Sequence, residues 1–161
     1  MNVSKRARAL AVLAASASLV AVPLAVPAGA VQSVKCTKLT TKTVGTTITA
    51  TVSNCTPTAA TGGKGSGAFK SSGKPNGSLN VTIKWAAGKG TTKGNIIFKT
   101  QPTDGKCVGG AQVTRIKITG KVTGGTGVAV KTIKPNEPIT GSVCSHATKG
   151  ITLEPGTSLK F

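Results

Sequence analysis

Tyrosine is absent from this chain, and other large aromatic side chains are scarce: one Trp and three Phe in 161 residues. A sequence so poor in large apolar side chains lies near the composition at which strongly charged chains stay disordered. Acidic residues number three and histidine one, which removes most catalytic constellations. Paired carboxylates for glycoside hydrolysis could come only from Asp104, Glu137 and Glu154, which form no cleft motif. A histidine-based triad or a Cys–His pair has only His146 to use. Beyond the first residues Arg115 is the sole arginine. Base-edge readout therefore lacks its commonest side chain, single-strand stacking lacks spare aromatics, and no specific nucleic-acid partner is expected. No stretch after residue 30 approaches the ~20 apolar residues of a membrane span.

What is present begins with a leader. Lys5, Arg6 and Arg8 form a basic start, Ala9 to Val22 an apolar run, and Pro23 and Pro27 end it. Ala28-Gly29-Ala30 places small residues where a signal peptidase needs them, so 1–30 reads as a secretory signal peptide and 31–161 as one secreted domain. Export to an oxidising compartment turns the four cysteines into expected disulfides. Cys36 is not preceded by a small-residue lipobox, which argues against a lipid anchor.

The stretch from Cys36 to Cys55 fixes the pairing. With Gly45 and Thr46 as a two-residue turn, Val44 faces Thr47 and Cys36 lands opposite Cys55. Glycine at the first central position suits a type II′ turn, whose twist matches the flanking strands. Cross-strand Cα spacings of about 4.5–5.5 Å lie within reach of a disulfide. Cys36–Cys55 is the expected bridge, and Cys107–Cys144 follows by elimination.

Leu79, Val81, Ile83 and Trp85 alternate with Asn80, Thr82 and Lys84, as a half-buried strand does. Ile96 and Phe98 alternate with Ile97 and Lys99 on the return. Trp85, in phase with Val81 and Ile83, reads as a core anchor. In the longest alternating run, 112–122, Ile116, Ile118, Gly120 and Val122 share one face, and Arg115, Lys117 and Lys121 the other. A three-residue loop, Gly124 to Thr126, would then return 128–133 as a strand, with Lys131 joining the lysine face. Ile139 to Ser145 and Ile151 to Leu153 complete the strand pattern. The glycine-rich segment 56–77 reads as a loop with Phe69 as its core contact. It is not a phosphate-binding P-loop, because Gly65 follows Lys64 where Ser or Thr is required. The expected fold is all-β: a small antiparallel sandwich or barrel of about eight short strands with two disulfides.

Cys36, Ser53-Asn54-Cys55, Thr61-Gly62-Gly63-Lys64-Gly65, Trp85 with Gly88, Cys107, Gly120 to Gly127, Val143-Cys144 and Leu153-Glu154-Pro155-Gly156-Thr157 follow one another along the chain. In that order they resemble a group of small uncharacterised secreted proteins of actinobacteria. The resemblance implies a secreted, disulfide-bonded β-domain and brings no activity with it. This chain departs from the group in its lysine load.

That load is lopsided. Of the 21 Lys and Arg residues, all but those of the leader face only Asp104, Glu137 and Glu154. An excess of this size implies strong self-repulsion or an anionic partner. The expected function is non-enzymatic binding of an anionic envelope component, a cell-wall polymer or lipid surface, through Arg115, Lys117, Lys121 and Lys131. The competing expectation is a weak hydrolase using Ser145 and His146, and a third is a structural envelope protein without a discrete ligand. No metal or cofactor is expected, since zinc would need the cysteines assigned to disulfides. Asn54-Cys55-Thr56, Asn76-Gly77-Ser78 and Asn80-Val81-Thr82 fit the N-glycosylation pattern, which arises readily by chance in a Thr-rich chain.

Overall fold

The structure, a computed structural model, describes residues 33–71, 73–74, 76–108 and 113–161. The expected signal peptide lies outside the described residues. The strands are β1 (Lys35–Val44), β2 (Thr47–Thr56), β3 (Lys64–Lys70), β4 (Gly77–Trp85), β5 (Gly90–Gln101), β6 (Val113–Thr126), β7 (Pro138–His146), β8 (Gly150–Leu153) and β9 (Leu159–Lys160). Two single-turn helices, α1 (Thr58–Thr61) and α2 (Ala129–Thr132), sit between β2 and β3 and between β6 and β7.

Pairing runs β6-β5-β4-β3-β2-β1-β9-β7, and β7 pairs back onto β6, so eight strands close into an antiparallel barrel with β8 as an extra strand on β7. Closure answers the question that alternation leaves open between sandwich and barrel. It also shortens the unpaired edges that a Thr-rich sheet would otherwise expose.

The β1–β2 hairpin has the register read from its sequence. Val44 faces Thr47, Cys36 faces Cys55, and Gly45 carries φ 58°. Strict alternation would set Cys36 and Cys55 on the face opposite Leu39 and Val52. Asn54, at φ 54°, interrupts the alternation, and both cysteines join the same buried cluster as Leu39 and Val52. Both expected disulfides are present, Cys36–Cys55 and Cys107–Cys144. The second forms a small cluster with Val113, fastening the β5–β6 connection to β7.

One end of the barrel is shut. Trp85 is buried there, its ring edge-on to Phe161 with centroids 5.7 Å apart, and its indole N–H donates to the buried Thr92 hydroxyl at 2.8 Å. Val34 exchanges two backbone hydrogen bonds with Phe161 at the same end. Ala129 and Ile133 of the β6–β7 connection are fully buried, and the Ala129 N–H donates to the Lys89 carbonyl at 2.9 Å.

Two expectations are corrected. Residues 128–133 do not return as a strand beside β6. The burial of Ala129 and Ile133, four apart, is helical spacing. β6 instead runs on through Gly125 and Thr126 against Thr92 and Thr91 of β5. A Cβ at Gly125 would strike the Thr91 carbonyl, which is why a glycine run reading as a turn is strand here. Likewise 64–70, read as loop, is β3, paired along its length with β2. Its glycines make room for β4: a Cβ at Gly65 would meet the Trp85 ring at 2.6 Å.

Candidate functional site

The other end of the barrel holds a cavity of about 470 Å³. Period-two alternation builds its wall, because every second side chain of a barrel strand points inward. β1 contributes Leu39 and Thr41, β2 Ile48 and Ala50, β4 Leu79, Val81 and Ile83, β5 Ile96 and Phe98, and β6 Ile116 and Ile118. Val143 and Ser145 of β7 and Ile151 of β8 complete the circuit, and Phe69 of β3 lies near the mouth. Ile139, Leu159 and Phe161 form the floor. An eight-stranded barrel is just wide enough either to be filled by its own side chains or to hold one small ligand. Here Ala50, small and lining the cavity from β2, leaves part of it unfilled.

The mouth is polar and positively charged. Lys70, Ser71, Gly73 and Lys74 border the cavity and are exposed. The Asn76 side chain accepts the Thr100 N–H at 2.8 Å, tying the β3–β4 connection to the rim of β5. Among the described residues that line the cavity, none is Asp or Glu.

The wall has a seam. β9 links β1 to β7 near the floor only, through Lys35, Cys36 and Thr140. Higher up, β8 lies beside β1 without a backbone ladder. The Thr41 hydroxyl spans the gap, accepting the Ile151 N–H at 2.7 Å and donating to the Ile151 carbonyl at 3.3 Å.

The four residues expected to bind an anion are not brought together on one face. Lys117 and Lys121 are exposed on the outer face of β6. Arg115, on the same face, is engaged: its Nε donates to Glu154 Oε2 at 2.7 Å, with the two side chains only 18% and 6% exposed. Lys131 belongs to α2, because the strand that would have carried it to that face does not form. The outer face instead gains Lys93 and Lys99 of β5, both exposed, and Lys99 stands directly opposite Lys117. The Ile97/Lys99 alternation already showed that Lys99 points outward; the missing information was that β5 pairs with β6.

Ser145 and His146 diverge. As neighbours on β7 they point to opposite faces. Ser145 lines the cavity, while the His146 ring lies 3.5 Å from the Thr152 hydroxyl. Asp104 is exposed in the β5–β6 connection. Among the described residues no group of three or more His, Cys, Asp or Glu side chains is placed to hold a metal ion. No described helix is long and apolar enough to cross a membrane.

Comparison of the chain with known protein families, with curated proteins and with solved structures finds no match.

Proposed function

We propose that this is a secreted, non-enzymatic binding protein that encloses an apolar small molecule in its barrel. One observation carries the reading: the inner faces of the strands converge on an apolar cavity of about 470 Å³, shut at one end and bordered by polar residues at the other. That size falls within the ~300–1,000 Å³ of ligand sites, which are mostly apolar with a few polar groups to orient the guest. Two disulfides suit an oxidising compartment, in keeping with export by the leader. The divergence of Ser145 and His146 favours binding over catalysis.

The test is uptake of diphenylhexatriene, a neutral apolar fluorophore dark in water. Saturable one-to-one uptake by the purified oxidised protein is the expected result; its absence would refute the cavity reading.

A second reading keeps the outer surface. Lys93, Lys99, Lys117 and Lys121 face solvent on β5 and β6, and Lys99 is paired across the sheet with a like charge. Such a face suits an anionic cell-wall polymer or lipid surface. Retention on an anionic matrix at low salt that survives replacement of all four by Gln would remove this reading.

A further inference from the structure

We infer that the occupant of the cavity is a neutral apolar molecule bearing one carbonyl group, whose oxygen accepts hydrogen bonds from the Thr114 and Ser145 hydroxyls. This rests on the reading of the barrel as a ligand cavity and adds the chemistry of the guest. Thr114 and Ser145 are cross-strand partners on β6 and β7, and both line the cavity. Side chains so paired have Cβ atoms about 4.5–5.5 Å apart, close enough to serve one group. The next inward pair towards the floor is Ile116 with Val143, and the floor itself is Ile139, Leu159 and Phe161. On this side the wall therefore turns from apolar to hydroxyl-bearing at one level. Neither hydroxyl has a hydrogen-bond partner among the described residues. The Thr41 hydroxyl also lines the cavity, but its proton is already given to the Ile151 carbonyl. Ser145 has no histidine to activate it, because His146 lies on the other face of β7 beside Thr152. Its hydroxyl is left for a ligand to use.

Each hydroxyl has one proton to give. Two neighbouring hydroxyls can give both to one oxygen with two lone pairs, and a carbonyl oxygen has those pairs and no proton of its own to place. An alcohol accepts from one hydroxyl and donates to the other, which leaves one protein proton without an acceptor. A carboxylate brings a charge that neither residue neutralises, and taking it out of water is expensive. A pure hydrocarbon that displaces water from the two hydroxyls leaves both unpaired, at a cost. A carbonyl on an apolar body satisfies the whole wall: the body covers the isoleucines and the floor, and the oxygen sits at the level of Thr114 and Ser145. A cavity of about 470 Å³ suits one such guest of small size.

The experiment titrates the oxidised protein with prodan, a compact fluorophore whose emission moves to the red when its ketone is hydrogen-bonded, and with diphenylhexatriene, which has no polar atom. Prodan should bind the parent one to one. In the Thr114→Val/Ser145→Ala protein its affinity should fall about tenfold, the effect of two hydrogen bonds, and its bound emission should move to the blue. Diphenylhexatriene should bind this variant at least as tightly as the parent, which also shows that the variant is folded. Competition against bound diphenylhexatriene with 2-decanone, 1-decanol and decanoate compares the polar groups. The double substitution should weaken 2-decanone most. If it weakens decanol or decanoate more, the carbonyl is overturned in favour of that group. If prodan fails to bind a parent that takes up diphenylhexatriene, or binds the double variant with unchanged affinity and emission, the assignment to these hydroxyls is overturned and the cavity reading stands. If diphenylhexatriene never binds, the underlying cavity reading fails first and this inference falls with it.

Discussion

Thr41 and Ile151 bridge the seam between β1 and β8 through one hydroxyl, which accepts the Ile151 N–H at 2.7 Å and donates to the Ile151 carbonyl at 3.3 Å. A side chain here does what a backbone ladder does elsewhere in the wall. Thr41→Val keeps the shape and β-branching but leaves both Ile151 groups without this partner. The expected loss is about 1–2 kcal/mol, with faster hydrogen exchange at the Ile151 amide. Thr41→Ser should retain most of the stability. Equal stability and exchange in the Val variant would mean that the seam is held by something else.

Arg115 and Glu154 form an ion pair of a different kind, largely withdrawn from solvent. Glu154 follows β8, and its N–H donates to the Ser142 carbonyl of β7, so the loop crosses β7 to reach β6. Removing one partner strands the other charge, which costs more than an exposed pair is worth. Glu154→Ala is expected to destabilise by about 2 kcal/mol, below the fully buried range because Arg115 keeps some exposure. The Arg115→Ala/Glu154→Ala protein should recover part of that loss. A double-mutant cycle measured by urea unfolding gives the coupling, and additive single effects would show the pair to be inert.

The disulfides carry much of the stability in a barrel whose interior is partly hollow. Chain entropy assigns about 3 kcal/mol to the loop closed by Cys36–Cys55 and about 4 kcal/mol to the longer one closed by Cys107–Cys144. Replacing each pair by Ser should lower the unfolding free energy by amounts of that order, with the second pair the costlier. Non-reducing peptide mapping checks the connectivity. The opposite ranking would show that native-state packing around Cys36 and Cys55, both fully buried, outweighs loop length.

The legible parts of the sequence were those in which side-chain alternation carries the signal. The alternation of Leu79, Val81 and Ile83 marks one face of a strand, and all three line the cavity. The hairpin register and both disulfides followed from turn chemistry and pairing. Segments whose strand character is expressed by glycine were silent. Gly65 and Gly67 in β3 and Gly125 in β6 lie in strands because a neighbouring strand fills the space of their missing side chains, and one-dimensional pattern reading takes such runs for turns. The Arg115–Glu154 pair was hidden because the two lie on different elements, brought together by a loop crossing a strand. The cavity was hidden for another reason: an inward apolar face looks the same over a filled interior as over a hollow one. The available clue is the shortage of large side chains, with Ala50 at an inward position of β2.

The outer face offers a prediction about charge. Lys99 and Lys117 are direct cross-strand neighbours on β5 and β6, and like charges so placed are destabilising by a few tenths of a kcal/mol or more. Lys117→Glu should therefore stabilise by about 0.5–1 kcal/mol at low salt, and the gain should shrink as salt screens it. Thermal unfolding across a salt series measures it. Retention on an anionic matrix should fall in the same variant. Lower retention with no change in unfolding would mean that these two ammonium groups are too far apart to interact.

The hollow interior makes the sharpest prediction, because filling it should separate binding from stability. Ala50 lies on the inner face of β2, bordering the cavity between the positions of Ile48 and Val52. Because Ala50 lines the cavity, Ala50→Phe is expected to project its ring into that space. In a filled core, an enlargement of this kind forces neighbours off their rotamers and costs about 1–3 kcal/mol. In a barrel with a cavity of about 470 Å³, the added ring should leave the unfolding temperature unchanged or raise it. Diphenylhexatriene uptake should fall sharply, because the ring occupies the guest's place. Ala50→Ser, similar in size, should bind as the parent does. A folded Phe variant with undiminished uptake would place the fluorophore elsewhere on the protein. A Phe variant that loses stability as a filled core would, with no uptake by the parent, mean that the barrel collapses onto itself in solution.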